Sequence, residues 1–282
     1  MQPGVLFFLV VLVSACKTQI VSEPCVPESF RTKRSQLHQI DLDRLSAPPV
    51  DNHEREHRVV EYFSDGCPLL LKQKVGKRAG HNIICRIEGK QDIKIVVGAH
   101  HDRVGGGRGV ADNWSGIVLI SRLIDEFKSI KPEATWEIIA FAAEESAMLG
   151  SRAYVRDNRM DRVVAMINVD TLGMGIVRVD SRSNRHLSCI AKDLARRVGI
   201  KLSPVSLPGM TGDWEPFKRL GISVLNIHSL DRRSLGKVHT RKDNRRAVSS
   251  DRMQDAWLFL FNLSLYLDQA SGQSVEMLNP GI

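Results

Sequence analysis

From about residue 93 onward, short apolar runs alternate with segments whose apolar positions recur every three or four residues. Runs rich in Val and Ile at 93–97, 136–142, 163–169 and 222–227 predict buried strands. Between them, helical spacing predicts helices over 114–127, 148–155, 185–198 and 214–220, and a long closing helix over 251–267. In 114–127, for example, Ile117, Ile120, Leu123 and Phe127 fall on one stripe. Upstream, 51–63 reads as a first helix, and 69–73 and 81–87 as two strands joined by a Gly-containing turn. Strands alternating with helices predict an α/β fold: one domain, with a mixed, mainly parallel sheet covered by helices on both faces. The domain is expected over 50–270, preceded by a tether and lead-in over 16–49 and followed by a tail over 271–282.

The first fifteen residues read differently. The apolar run 5–13 is too short to span a bilayer and is followed at once by Val13-Ser14-Ala15-Cys16. That pattern matches a bacterial lipobox, with residues 1–15 as a signal peptide and Cys16 as the lipid-bearing N-terminus. It implies an exported protein held at the cell envelope by a lipid anchor. An ordinary signal peptide cleaved near Ala15 is the other reading, and Met1-Gln2-Pro3-Gly4 lacks the usual basic residue. With Cys16 lipidated, Cys25, Cys67, Cys85 and Cys189 could form two disulfides in three ways, although Cys85, inside a strand, reads as a plain buried thiol. Asn113-Trp-Ser115 and Asn262-Leu-Ser264 have the form of glycosylation sequons but read as chance matches. The formal charge of +8 raises nucleic acid as a partner. Lys and Arg are scattered and no recognition motif accompanies them, so nucleic acid is set aside.

The chemistry lies where strands run out. His100 and Asp102 follow the first central strand, Glu144 and Glu145 the second, and Asp170 the third. In open α/β sheets such ends face one crevice. Asp112 and a distant His239 add a carboxylate and an imidazole. Two imidazoles and three carboxylates suit two zinc ions if one carboxylate is shared. A second glutamate beside a ligand supplies a base for water.

Together these stretches resemble the zinc exopeptidases that include bacterial leucyl aminopeptidases, glutamate carboxypeptidases and glutaminyl cyclases. The matching pieces are Gly98-Ala-His-His-Asp102, Gly109-Val-Ala-Asp-Asn-Trp-Ser-Gly116, Phe141-Ala-Ala-Glu-Glu-Ser-Ala-Met-Leu-Gly-Ser151, Ile167-Asn-Val-Asp170, Gly212-Asp-Trp-Glu-Pro-Phe217 and Val238-His-Thr-Arg-Lys-Asp243. They arrive in the family's order. The resemblance implies that Asp112 bridges two zinc ions, His100 and Asp170 bind one, and Glu145 and His239 bind the other. It makes Glu144 the general acid/base and gives Asp102 the task of accepting the other N–H of His100. The family's His-any-Asp pattern selects His100 over His101. Where the family often has His after the Asp of the Gly212-Asp213 piece, this chain has Trp214, which could line a specificity pocket or belong to the core.

The function implied is metal-assisted hydrolysis of a peptide's N-terminal amide. Glutaminyl cyclase is the nearest alternative, since it uses one zinc with comparable ligands; the Asp112-Asn-Trp-Ser-Gly116 run looks more like the aminopeptidase branch. A carboxypeptidase acting on acidic C-termini, and a receptor-like binding domain of related fold that has lost its ligands, are more distant alternatives.

Overall fold

The β-branched runs become the centre of one eight-stranded sheet. A computed structural model describes residues 24–273, so the leader, Cys16 and the end of the tail lie outside the described residues. The strands are β1 (Leu69–Gly76), β2 (Gly80–Ile87), β3 (Lys94–His100), β4 (Thr135–Phe141), β5 (Val163–Val169), β6 (Val177–Asp180), β7 (Leu202–Val205) and β8 (Ser223–His228). The helices are α1 (Gln39–Ser46), α2 (Asn52–Ser64), α3 (Ser115–Phe127), α4 (Leu149–Asp157), α5 (Arg185–Arg197), α6 (Trp214–Arg219) and α7 (Ser250–Ser271).

Strand order is β1-β2-β4-β3-β5-β8-β6-β7. The four central strands β4, β3, β5 and β8 run parallel, and antiparallel pairings flank them at β1/β2, β2/β4 and β8/β6. Every residue of β4 and β8 is buried, as expected for strands covered on both faces. The pleat sorts the side chains. Ile95, Val97 and Ala99 join the larger core with α3, α5 and α7, whereas Val96, Ile139, Phe141 and Met166 meet Tyr154 of α4 and Phe217 of α6 on the other face.

Three elements carry no pattern long enough to read in advance. Strands β6 and β7 have four residues each, less than the span over which alternation becomes legible. Helix α1 has eight residues and buries only Asp41 and Leu45. The described part of the lead-in is bound structure. Val26 and Phe30 are buried, Phe30 meets Tyr266 of α7 edge-on at 5.2 Å, and the buried Asn262 amide pairs with the main chain of Lys33 in both directions, at 2.7 and 2.9 Å. Backbone-to-side-chain hydrogen bonds leave no hydrophobic period, which explains why the segment reads as loop. Asn113 and Asn262 are fully buried, so neither sequon offers its amide to a glycan. Among the described residues no helix is long and apolar enough to cross a membrane.

Cysteine pairing is Cys25–Cys189 and Cys67–Cys85. The expectation of a plain thiol at Cys85 is thereby corrected. Cys85 is indeed buried, but antiparallel register sets it opposite Leu70, close to where Cys67 leads into β1. The first disulfide spans 164 residues and the second 18. Loop-closure entropy then predicts stabilisation of about 5 and about 3 kcal/mol respectively. Replacing Cys25 and Cys189 together by Ser should therefore lower unfolding free energy more than the same change at Cys67 and Cys85, as measured by urea denaturation. Equal losses would show that chain entropy is not the controlling factor.

Candidate metal centre

Parallel pairing brings the carboxyl ends of β3, β4, β5 and β8 to one edge of the sheet. His100 is the last residue of β3, and Asp170 follows β5 directly. Glu144 and Glu145 stand in the loop between β4 and α4, and Asp112 in the irregular turn 110–114 that leads into α3. His239 arrives from the loop between β8 and α7. All six line one cavity of about 320 Å³, whose other walls include Met148, Met210, Leu230, Leu235 and Val238.

Asp112 is the pivot. Its Oδ1 lies 3.1 Å from His100 Nε2, and its Oδ2 lies 3.0 Å from His239 Nε2. His100 Nε2 is also 3.7 Å from Asp170 Oδ1, and His239 Nε2 is 3.0 Å from Glu145 Oε2. Two triads result, His100–Asp112–Asp170 and Asp112–Glu145–His239, each with its donor atoms within 4.8 Å of one another. Each could hold a cation, with Asp112 presenting one oxygen to each.

The charge balance has the sign such a site requires. Burial alone would lower the His100 pKa, but hydrogen bonds to Asp102, Asp112 and Asp170 raise it well above the ordinary value. Hydrogen bonds to Asp112 and Glu145 bring His239 to about 10. Asp112 is held far below the usual carboxylate range, because its bonds to the two imidazoles outweigh its burial. Positive charge is therefore strongly favoured between these acids. Glu145 Oε1 is buried without a hydrogen-bond partner among the described residues, as a carboxylate awaiting a cation would be. Nitrogen and carboxylate oxygen in this number match the donor preferences of zinc. Glu144 differs from its neighbour: burial, reinforced by Asp213, Asp170 and Glu145 against His100, pushes its carboxyl up to about 9.

The remaining candidates separate cleanly. His101 is turned out of the cavity, with Nε2 3.1 Å from the carbonyl oxygen of His81. Asp102 lies beneath the site, with both its carbonyl oxygen and its carboxylate near the ring of His100. His100 Nδ1 is nearer the carbonyl oxygen of Asp102 (3.1 Å) than its carboxylate (3.5 Å). The carboxylate also accepts the backbone N–H groups of Glu144 and Glu145, at 3.0 and 3.2 Å, and so holds the loop that carries both. Trp214 belongs to the core with Phe217 and Tyr154, capped by Arg182 at 4.8 Å, and is not a wall of the cavity.

Two supports were not singled out from the sequence. Asp243 is buried and accepts the N–H groups of Ala111 and Asp112 at 2.8 and 3.1 Å. Arg55 of α2 is fully buried, lies over the Trp114 ring at 4.7 Å, and donates to carbonyl oxygens of His101, Arg108 and Gly109. Asp243 closes the motif that contains His239, which was the available signal. Arg55 had none, since in sequence it is one charge in a polar amphipathic helix. The loops also touch closely: Gly105, at φ +77, lies so near the His239 carbonyl that a Cβ there would come within 2.2 Å of it.

Residues 82–263 match Peptidase family M28. The chain belongs to that family. Aminopeptidase YwaD of Bacillus subtilis is 27% identical over 204 residues, which are 66% of this chain and 44% of the relative. The solved structure of BSAP, a zinc aminopeptidase from Bacillus subtilis, is similar at 25% identity and a TM-score of 0.61, covering 67% of this chain and 50% of that one. An Acidobacteriales bacterium glutaminyl cyclase has a similar fold at 20% identity and a TM-score of 0.67, covering 86% of this chain and 100% of the cyclase. The chain spans less than half the length of the curated relatives it matches.

Replacing Asp243 by Ala removes the acceptor of two buried N–H groups beside Asp112. Unfolding free energy should fall by about 1–3 kcal/mol for each group left unsatisfied, measured by chemical denaturation. A loss below about 0.5 kcal/mol would mean that other groups or water satisfy them.

Proposed function

We propose that this chain is a zinc-dependent exopeptidase that removes N-terminal residues from peptides. The observation carrying the reading is the divided carboxylate of Asp112, with one oxygen 3.1 Å from His100 and the other 3.0 Å from His239. His100, Asp112 and Asp170 would hold one zinc, and Asp112, Glu145 and His239 a second. Membership of the M28 family and its zinc aminopeptidase relatives support the choice of metal and reaction.

Zinc, when bound, supplies Lewis acidity that polarises a carbonyl oxygen and makes water acidic near neutrality. Glu144, in the carboxylate form that cations held beside it would favour, takes one proton from the attacking water. As the new C–O bond forms and the C–N bond breaks, the same carboxyl delivers that proton to the departing amine. Asp102 keeps Glu144 and Glu145 in place by holding their backbone. The zinc aminopeptidase relatives favour an aminopeptidase over a carboxypeptidase. The apolar wall of Met148, Met210, Leu230 and Val238 suits an apolar first side chain.

Cyclisation of N-terminal glutamine is a second reading, because the cyclase is matched over its whole length while only half of BSAP is. The reading also includes export and attachment at the envelope through Cys16. Two disulfides suit an oxidising compartment and support that reading.

With zinc-loaded protein, an aminoacyl chromogenic amide should be cleaved and an N-terminal glutaminyl peptide should not be cyclised; the reverse outcome selects the second reading. Glu144→Gln should lower kcat about 10²-fold or more with zinc still bound, whereas Asp112→Ala should lose zinc by elemental analysis. Normal turnover in the first variant removes Glu144 from the mechanism. Full zinc content in the second removes Asp112 as the bridge.

A further inference from the structure

His228, the last residue of β8, is a cavity residue whose chemistry the proposed hydrolysis leaves unexplained. It is 1% exposed, alternates with Val224 and Asn226 on the same face of its strand, and lines the cavity beside Asp170. Its Nδ1 accepts the backbone N–H of Leu230 at 3.0 Å. A backbone N–H can only donate, so Nδ1 must present a lone pair, and the ring's proton belongs on Nε2. Nε2 is buried and has no hydrogen-bond partner among the described residues. With Nδ1 accepting and the proton on Nε2, the ring is neutral.

An N–H buried without an acceptor costs about 1–3 kcal/mol. A fold that retains one on a residue lining a cavity offers it to an acceptor on a molecule that binds there. The cavity's acids are acceptors themselves, and the Thr171 hydroxyl is already taken by Asp170 Oδ1 at 2.8 Å, so the other neutral donors on its walls are the Asn226 amide and the Thr211 hydroxyl. A neutral donor also leaves intact the negative charge that the cations need, whereas Lys or Arg would compete with them.

We propose that His228 is a further catalytic residue, whose Nε2–H donates a hydrogen bond to the scissile carbonyl oxygen of the bound peptide and strengthens as negative charge gathers there. The inference rests on the proposed hydrolysis. It assigns His228 a contact with the reacting carbonyl and gives the Leu230 bond the task of fixing the tautomer.

Two variants divide the imidazole's functions. His228→Asn keeps an acceptor near the Nδ1 position for Leu230 but loses the donor; His228→Gln restores an amide N–H near the Nε2 position. In the zinc-loaded full chain His228→Asn should lower kcat about 10²-fold on an aminoacyl chromogenic amide, with KM, zinc content and Tm little changed. His228→Gln should recover at least a tenth of wild-type kcat. Turnover of His228→Asn within twofold of wild type, or a loss confined to KM, overturns the proposal. A wild-type chain that binds zinc but cleaves no such amide overturns the hydrolytic reading itself. Should His228→Asn fail to fold, nitrogen-15 NMR of histidine-labelled wild-type holoenzyme decides: leucine hydroxamate should shift the Nε2–H resonance of His228, and an unmoved resonance or a proton on Nδ1 overturns the proposal.

Discussion

Four carboxylates around one cavity form the constraint on which the rest of the structure depends. Glu144, Glu145, Asp112 and Asp170 share walls with only three imidazoles, and one of those imidazoles, on His228, favours neutrality. Burying that much like charge is expensive unless cations compensate it. The arrangement makes sense once Asp112 is seen as the shared member of two triads, since its two oxygens divide the compensation between neighbouring positions. Parallel topology meets the same constraint from below: it brings strand ends, with their free main-chain geometry, to one edge and keeps the acids out of the apolar layers on either face.

Holding an acid-rich pocket open takes a scaffold with charge of its own. Arg55 supplies it at the rear of the site. Burial lowers its pKa to about 10, with Asp102 and Asp112 opposing the change, so the guanidinium stays charged at neutral pH. Its donors reach three carbonyl oxygens of the 101–109 loop, while Asp243 takes the N–H groups at the start of the Asp112 turn. Opposite charges thus grip the two ends of one irregular segment. Asp102 does the equivalent for the Glu144–Glu145 loop. Asp112, Glu144 and Glu145 thus rest on a second group that fixes their backbone, which is how a loop residue gains the precision of one on a strand.

Legibility in the sequence follows the same division. Strands β3, β4, β5 and β8 were readable because all-buried strands appear as unbroken apolar runs, and their ends announced His100, Glu144, Glu145 and Asp170. Asp112 and His239 emerged from the combination of motifs, since each alone reads as a helix cap or a surface histidine. Arg55 and His228 were silent for a physical reason: each acts through main-chain atoms of distant or adjoining residues, and a main-chain partner leaves no residue type to recognise. The lead-in was silent likewise, because Asn262 secures Lys33 through its backbone. Cys85 misled because burial of a thiol says nothing about its neighbour, whereas the register of β1 on β2 does.

Backbone strain gathers where the chemistry is. Among the described residues, the non-glycine positions with positive φ are Ala143, Ala147, Met148, Thr171 and His239. The first three flank Glu144 and Glu145, Thr171 follows Asp170, and His239 belongs to a metal-facing triad. Such conformations cost on the order of 1 kcal/mol or more each and persist only where the surroundings enforce them. Here enforcement comes from outside the cavity: the Asp102 carboxylate on one loop, the Ser229 hydroxyl donating to the Thr171 carbonyl at 2.7 Å on another, and the glycine contact at Gly105 against His239. The distant disulfide from Cys25 to Cys189 and the clasp of the lead-in on α7 add stability remote from the site. That separation lets the periphery carry the cost of a strained, like-charged centre without entering its chemistry.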